Sequence, residues 1–544
     1  MSESRYAIGV DFGTESARAL LLDVRTGEEL AASVTPYPSG VIDHSLPDSG
    51  RQLPPDWALQ DPDDWVLAIE TSVPAVLREG SVPADAVSGI GVDFTSCTVL
   101  PVTGEGVPLC KLERWRSHPH AWPKLWKHHA AQPVADRLTD VALERQESFI
   151  GRYGGRISSE WYFPKLIELW LEDREVYDAA GGFIEATDWI VWHLTGVERR
   201  QRTTAGYKAL WSPETGLPPT EYFQAAYPGF DHPAAKLGNT FVPLGTTAGT
   251  LRAEVAEELR LPGSTPVAVG NVDSFASVPG AGVSKPGTFV SVVGTSICDM
   301  AVHPREIRLP GITGVVRDGI LPGVYGYEAG QVAVGDMLAW FLREIAPPGS
   351  TYASLEAEAA RIAPGATGLV ALDWWNGNRS ILADADLTGV ICGLTLQSTP
   401  AQIYRSLMES IALGNRRIID NFAENGLEMS EIVACGGVAI SSPLLMQLFA
   451  DVSGLAVHVP ASSEVPARGA ALFAAVAGGA FADIDAAITA TRPPVATTYT
   501  PDEGAKQIFD RLYAIYRNLT DLLGRSHVEL LHDLKRIRTE RTAA

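Results

Sequence analysis

Asp11-Phe12-Gly13-Thr14-Glu15-Ser16-Ala17-Arg18 is the stretch on which the fold turns. It follows a short apolar run, Tyr6 to Val10, and leads into a second, Ala17 to Val24. Glu29 to Thr35 can form a third strand after the turn residues Asp23-Val24-Arg25-Thr26-Gly27. Strand, glycine turn, strand, turn, strand predicts a β-meander. Within the first turn, Gly13 permits the tight backbone that brings N–H groups to a phosphate. Thr14 and Ser16 add hydroxyl donors, and Arg18 adds a charged fork. Asp11, at the strand end, suits Mg²⁺, an ion that keeps much of its hydration and takes few carboxylates. By itself the stretch also reads as a hairpin with polar turn residues, because short motifs recur by chance.

Outward from this turn, Trp65, Ile69, Val73 and Leu77 recur at helical spacing, and Ile90 to Asp93 is a further buried strand. A glycine-rich stretch, Pro262 to Gly287, separates this first part from a second one. There Thr288 to Val293 is a strand ending in Gly294-Thr295-Ser296, which repeats the opening plan in outline. Ala401 to Asn425 has helical periodicity, and Glu431 to Cys435 is a strand ending in Gly436-Gly437. Pro443 to Val452 reads as a helix, Ala456 to Val459 as a strand and Ala467 to Ala477 as a small-residue helix. The tail after Pro493-Pro494 reads as one amphipathic helix. The expectation is an α/β protein of two halves, residues 1–284 and 285–544, with no short-period repeat.

Composition narrows the class. The chain has 544 residues, 46% hydrophobic and 20% charged, with a net charge of −22. This is globular composition, and the length suits more than one domain. The acidic balance argues against nucleic acid and membrane surfaces as partners, because both are polyanionic. No apolar run approaches the roughly 18 residues that span a bilayer, and the N-terminus lacks the charge and hydropathy pattern of a secretory signal. Cys97, Cys110, Cys298, Cys392 and Cys435 are scattered, odd in number and never in a CxxC pair. Reduced thiols in a cytoplasm fit better than a disulfide framework or a zinc site. His118, His120, His128 and His129 have no matching ligand cluster and read as surface or structural residues.

The order of the turns carries more than any one of them. Asp-x-Gly-Thr after the first strand, Gly-Thr-Ser after a later one and Gly-Gly before a late helix resemble the actin-like ATPase architecture shared with sugar kinases. A Walker loop and a GxGxxG fingerprint are both absent, which disfavours a P-loop NTPase and a Rossmann dehydrogenase. The segments LWKHHAA (125–131), RYGGRISSEW (152–161), TAGYKALW (204–211), GNVDS (270–274), GTSICDM (294–300), GYEAGQ (326–331), LDWWNGNRS (372–380) and ACGGVA (434–439) then resemble the FGGY carbohydrate kinase family. Among its branches, the resemblance is closest to the one that phosphorylates L-ribulose.

The resemblance implies two actin-like (ribonuclease H-like) ATPase domains with a cleft between them. It implies ATP and Mg²⁺ as cofactors and transfer of the γ-phosphoryl group to the terminal hydroxyl of L-ribulose. The product would be L-ribulose 5-phosphate, in arabinose catabolism. The family's catalytic base falls on Asp273, and its sugar contacts on Ser96, Trp126, Lys208, Asp273 and Glu328. Its phosphate and nucleotide contacts fall on Gly13, Thr14, Ser16, Arg18, Gly294, Thr295, Gly436 and Gly437, with Asp11 toward the metal. A homodimer is possible. Where the family usually has His two residues after the base, this chain has Phe275; where Asn often follows the Gly-Gly turn, it has Ser441-Ser442.

The residues also have a reading of their own. A sugar hydroxyl is a poor nucleophile, so a carboxylate must take its proton as attack proceeds. Asp273 could do so between the two halves, or could cap the segment Ser274 to Val278, or do both, the helix end keeping it ionised. Lys208 and Glu328 offer a neutral polyol a donor and an acceptor; alone, Lys208 is as well read as a solvated surface lysine. Two alternatives stand: a kinase for D-ribulose, xylulose or a pentitol, and an actin-like nucleotide-binding regulator without kinase activity.

Overall fold

The computed structural model describes residues 5–47 and 49–542. Its opening meander is Tyr6–Phe12, Ser16–Asp23 and Glu29–Pro36, joined antiparallel. Val87–Phe94 adds in parallel beside Tyr6–Phe12 and is buried throughout. Burial on both faces explains why this strand reads as a nearly continuous small and apolar run rather than an alternation. Pro266–Ala268, Asn271–Val272 and Thr247–Thr250 complete a seven-stranded sheet.

The second half repeats the plan. Thr288–Val293, Ile297–His303 and Tyr325–Gln331 form the meander, with Gly314–Arg317 on its outer edge. Glu431–Cys435 and Ala456–Pro460 add in parallel, and Val495–Tyr499 closes the second seven-stranded sheet. Two sheets built as a meander extended by parallel strands are the paired actin-like α/β units expected from the order of turns. Pro62–Gly80 lies on the first sheet through Trp65, Ile69, Val73 and Val76. Pro400–Glu424 lies on the second, its first turn closed by reciprocal hydrogen bonds between Thr399 and Gln402.

The halves meet backbone to backbone. Helix Val465–Ala477, from the second half, lies across Tyr6–Phe12 and Val87–Phe94 of the first sheet and against helix Asp273–Gly280. Only glycine fits at these crossings. A Cβ on Gly9 would stand 1.8 Å from the Ala467 carbonyl oxygen, one on Gly91 2.2 Å from that of Ala470, and one on Gly469 1.8 Å from that of Ala276. The small residues of the helix are therefore there to permit close approach. Gly469→Ala should destabilise the chain by about 3 kcal/mol, at the upper end for overpacking, because the obstacle is main chain. Gly104→Ala, where a Cβ meets nothing within 4 Å, is the control. Denaturant unfolding of the two variants checks this, and equal stability would contradict the packing.

A helical insertion follows Val99–Val102 and builds a core from Trp115, Phe149, Tyr162 and Phe223, which Trp57 from the preceding segment joins. It carries helix Arg202–Lys208. One expectation needs correction here. The tail is not one helix: strand Val495–Tyr499 precedes Glu503–Asp521 and Glu529–Thr542, with a π turn at Leu522–Ser526 between them. Val-Ala-Thr-Thr-Tyr is rich in strand-forming residues, and Gly524 lets the turn pass close to Leu382, 2.3 Å from where a Cβ would stand. Of the two readings open for the histidines, surface or structural, His120 and His128 take the structural one: both are buried, in a network with Lys124 and Glu168.

Candidate active site

Ile8-Gly9-Val10-Asp11-Phe12 recurs as Ile90-Gly91-Val92-Asp93-Phe94. The two pentapeptides are parallel neighbours in strict register, Asp11 opposite Asp93 and Phe12 opposite Phe94. The phenylalanine rings stack 5.0 Å apart, 7° from parallel. In a strand alternate residues share a face. Identical residues in register thus put both aspartates on one face, at the ends of their strands, and both glycines beneath Val465–Ala477.

The chain turns sharply after each meander's first strand. The Gly13 N–H donates to the Ser16 carbonyl at 3.0 Å, and the Gly294 N–H to the Ser296 carbonyl at 2.9 Å, so the two halves present like hairpins. The first is pinned from outside: Gln60 Nε2 donates to the Thr14 carbonyl at 2.7 Å and Trp126 Nε1 to the Thr14 hydroxyl at 3.1 Å. Behind the second lies Gly436, whose φ of 94° and approach to the Val293 carbonyl, 2.6 Å from a Cβ, both require glycine. A Cβ on Gly437 would meet nothing within 4 Å, which leaves a flat, open backbone there.

Asp11, Asp93 and Asp273 make up an acidic centre, coupled through their charges. Arg18 Nη1 lies 3.6 Å from Asp11, and its Nε 3.6 Å from Glu464. Asp93 is fully buried, and among the described residues its one hydrogen-bond partner is the neighbouring acidic side chain of Asp11. Burial, then the Asp11 charge, holds its carboxyl well above the usual carboxylate range. Burial pushes Asp11 up as well, against the pull of Arg18. Asp273 is not the helix cap: Val272 holds that position, and Asp273 is the first helical residue. Its carboxylate accepts the Ser274 N–H at 2.6 Å. The helix end does not keep it an ordinary acid, because burial, followed by the Asp11 charge, pushes it up to about 7.

Beside this centre, ion pairs join the halves. Lys208 Nζ binds both oxygens of Glu328, at 3.1 and 2.8 Å, with both side chains buried. Burial alone would lower the Lys208 ammonium, but Glu328 overrides it and holds it above its ordinary value. Lys208 is thus no surface lysine. Phe275, the departure two residues past Asp273, is fully buried, its ring 4.5 Å from that of Tyr207 and 5.9 Å from Lys208 Nζ. Arg379, from the LDWWNGNRS segment, pairs across the halves with Glu160 at 3.3 Å. Cys97, next to Ser96, holds a left-handed φ of 63°, and its carbonyl accepts Lys165 Nζ at 2.7 Å.

The sequence-predicted residues thus fall in three groups. Asp11, Asp273, Lys208 and Glu328 converge electrostatically. Gly13, Thr14, Ser16, Gly294, Thr295, Gly436 and Gly437 form the turns just described. Trp126 is held through Thr14 and, among the described residues, makes no hydrogen bond to the Lys208–Glu328 pair. Sequence reasoning missed Asp93, Glu160 and Arg379. The repeated Ile-Gly-Val-Asp-Phe is the signal that finds Asp93; nothing in the sequence pairs Glu160 with Arg379.

Two like α/β domains whose hairpins and acidic centre face a common cleft define an actin-like phosphotransferase. The chain belongs to the FGGY family of carbohydrate kinases: residues 6–280 match the family's N-terminal domain and residues 289–478 its C-terminal domain. It is 47% identical over 547 residues to a ribulokinase from Anoxybacillus flavithermus, covering 98% of this chain and 97% of that one. It is 42% identical over 538 residues to a ribulokinase from Mycolicibacterium smegmatis, covering 96% and 95%. In fold it is similar to a xylulose kinase from Rhodospirillum rubrum, with TM-score 0.79, 24% identity and coverage of 97% and 100%. It is likewise similar to a glycerol kinase from Plasmodium falciparum, with TM-score 0.77, 15% identity and coverage of 95% and 98%. Membership in a kinase family sets aside the non-catalytic regulator considered from the sequence. No helix among the described residues is long and apolar enough to cross a membrane.

Proposed function

We propose that this kinase transfers the γ-phosphoryl group of ATP to the terminal hydroxyl of L-ribulose, giving L-ribulose 5-phosphate for L-arabinose catabolism. The near-full-length likeness to ribulokinases carries the choice of sugar. The juxtaposition of Asp273 with Lys208 and Glu328 supports the chemistry. In this reading Asp273 takes the proton of the attacking hydroxyl. Lys208 and Glu328 supply a donor and an acceptor to the sugar's polar groups, and Ser96 adds a further sugar contact. The hairpins at Gly13–Ser16 and Gly294–Thr295 grip the phosphates from the two halves, with Arg18 as a charged fork, and the adenosine rests on Gly436-Gly437. Trp126 serves through the hairpin it holds. Closure of the halves excludes water and so limits idle hydrolysis.

The acidic centre fits Mg²⁺: buried carboxylates, with one arginine shared between Asp11 and Glu464, need a cation. Asp11 would hold it, and the ion would neutralise charge on the transferring phosphoryl group. Asp11→Ala should raise the Mg²⁺ concentration needed for half-maximal rate and depress turnover. An unchanged Mg²⁺ titration and rate would remove Asp11 from this role. The reading as a whole is tested by ADP release with a panel of ketopentoses and pentitols. L-Ribulose should give the highest kcat/KM; a larger value for D-ribulose, xylulose or a pentitol would replace the proposed substrate.

A further inference from the structure

The proposed chemistry leaves one buried group without a role. Asp93 is at 0% exposure, and among the described residues its one hydrogen-bond partner is its register neighbour Asp11, another acidic side chain. A buried carboxylate normally takes hydrogen bonds or a counter-ion. The possible counter-ions nearby are few. Arg18 lies 3.6 Å from Asp11, is itself shared with Glu464, and makes no ion pair with Asp93 among the described residues. Lys208 is taken by Glu328 through both oxygens. Asp273 adds a further negative charge that Asp93 feels, without joining it as a third close ligand. Neighbouring carboxylates with unused lone pairs are hard-oxygen ligands, the donor type that Mg²⁺ and Mn²⁺ select. The duplicated Ile-Gly-Val-Asp-Phe strands fix Asp11 and Asp93 on rigid, fully paired backbone, so the donors need no rearrangement to meet an ion.

We infer that Asp93 acts with Asp11 as a second protein ligand, so that this centre takes up a divalent cation before any nucleotide arrives. The inference rests on the kinase reading for the cation's purpose, but not for its detection. If a metal came only with its nucleotide, one carboxylate would serve, and Asp93 would be a buried cost without return. With Asp93 the protein itself supplies the charge and the lone pairs, and the nucleotide adds phosphate oxygens afterwards.

The test uses the whole chain, stripped with EDTA and without nucleotide. Mn²⁺ is the probe, titrated by electron paramagnetic resonance, with thermal unfolding in Mn²⁺ or EDTA alongside. Wild type should bind one Mn²⁺ tightly and melt higher with it. Asp93→Asn keeps the shape and can donate from its amide to Asp11. It should therefore melt at or above wild type in EDTA, yet lose about 10- to 100-fold in Mn²⁺ affinity, the loss seen even when a partner outside the ligand set is removed. The metal-dependent rise in melting temperature should vanish with it. Asp93→Ser is the second variant should the first not fold, with the same loss expected. Equal Mn²⁺ binding in wild type and variant, or no nucleotide-free site in wild type, overturns the inference. Failure of the kinase reading would instead show in the sugar panel and leave the Mn²⁺ titration untouched.

Discussion

Asp273→Asn should lose on the order of 10² to 10⁴ in kcat, the usual consequence of removing a general base. Sugar affinity should survive, because the amide keeps the shape of the side chain and loses only the ability to accept a proton. The structure adds a pH signature. Burial and the Asp11 charge push Asp273 up to about 7, so the basic form is lost as pH falls through that region. Wild-type kcat/KM should therefore fall on the acidic side. The limb belongs to the interacting carboxylates together rather than to one residue alone. The residual activity of Asp273→Asn should show this limb displaced, because Asp11 and Asp93 remain without the Asp273 charge. Near-normal turnover in a folded Asp273→Asn protein would remove Asp273 from the role of base.

Lys208→Met is expected to act in two ways that can be separated. Lys208 and Glu328 form a buried pair joining the halves. Removing one partner of such a pair leaves an uncompensated charge and costs about 3–5 kcal/mol in stability. Loss of a charged donor to the sugar adds about 1.5–3 kcal/mol, which is about 10- to 100-fold in kcat/KM for the ketopentose. The double variant Lys208→Met/Glu328→Gln should recover much of the stability, because no lone carboxylate remains. It should not recover sugar kinetics. The KM for ATP should move far less in both, since the proposed nucleotide site at the Gly13, Gly294 and Gly437 turns is separate from this pair. Equal losses for ATP and sugar, or unchanged sugar kinetics in a folded variant, would make the pair a structural bridge alone.

Much of the fold was legible because it rests on local chemistry. The strand Thr288–Val293 is a bounded apolar run, and the strand Glu431–Cys435 ends at two glycines, one of which needs a left-handed φ. Such elements announce themselves in a few residues. The tail was misread because helical periodicity after residue 503 dominated the window, while the five-residue strand before it and the glycine break within it are short signals. The site was legible only where a turn or motif carried it. Lys208 and Glu328 are 120 residues apart, and Glu160 and Arg379 are 219. No local pattern pairs them; closure of the two halves does. Asp93 is the instructive miss. It stands in the same pentapeptide as Asp11, but a repeat spaced by the length of a meander and a helix is invisible to reasoning that looks for short periods.

The most direct test of the central claim is the product itself. With L-ribulose, ATP and Mg²⁺, phosphorus and carbon magnetic resonance should show a phosphomonoester on C5, formed in equal amount to ADP. Phosphate on another carbon, or ADP accompanied only by inorganic phosphate, would contradict the placement of the terminal hydroxyl against Asp273.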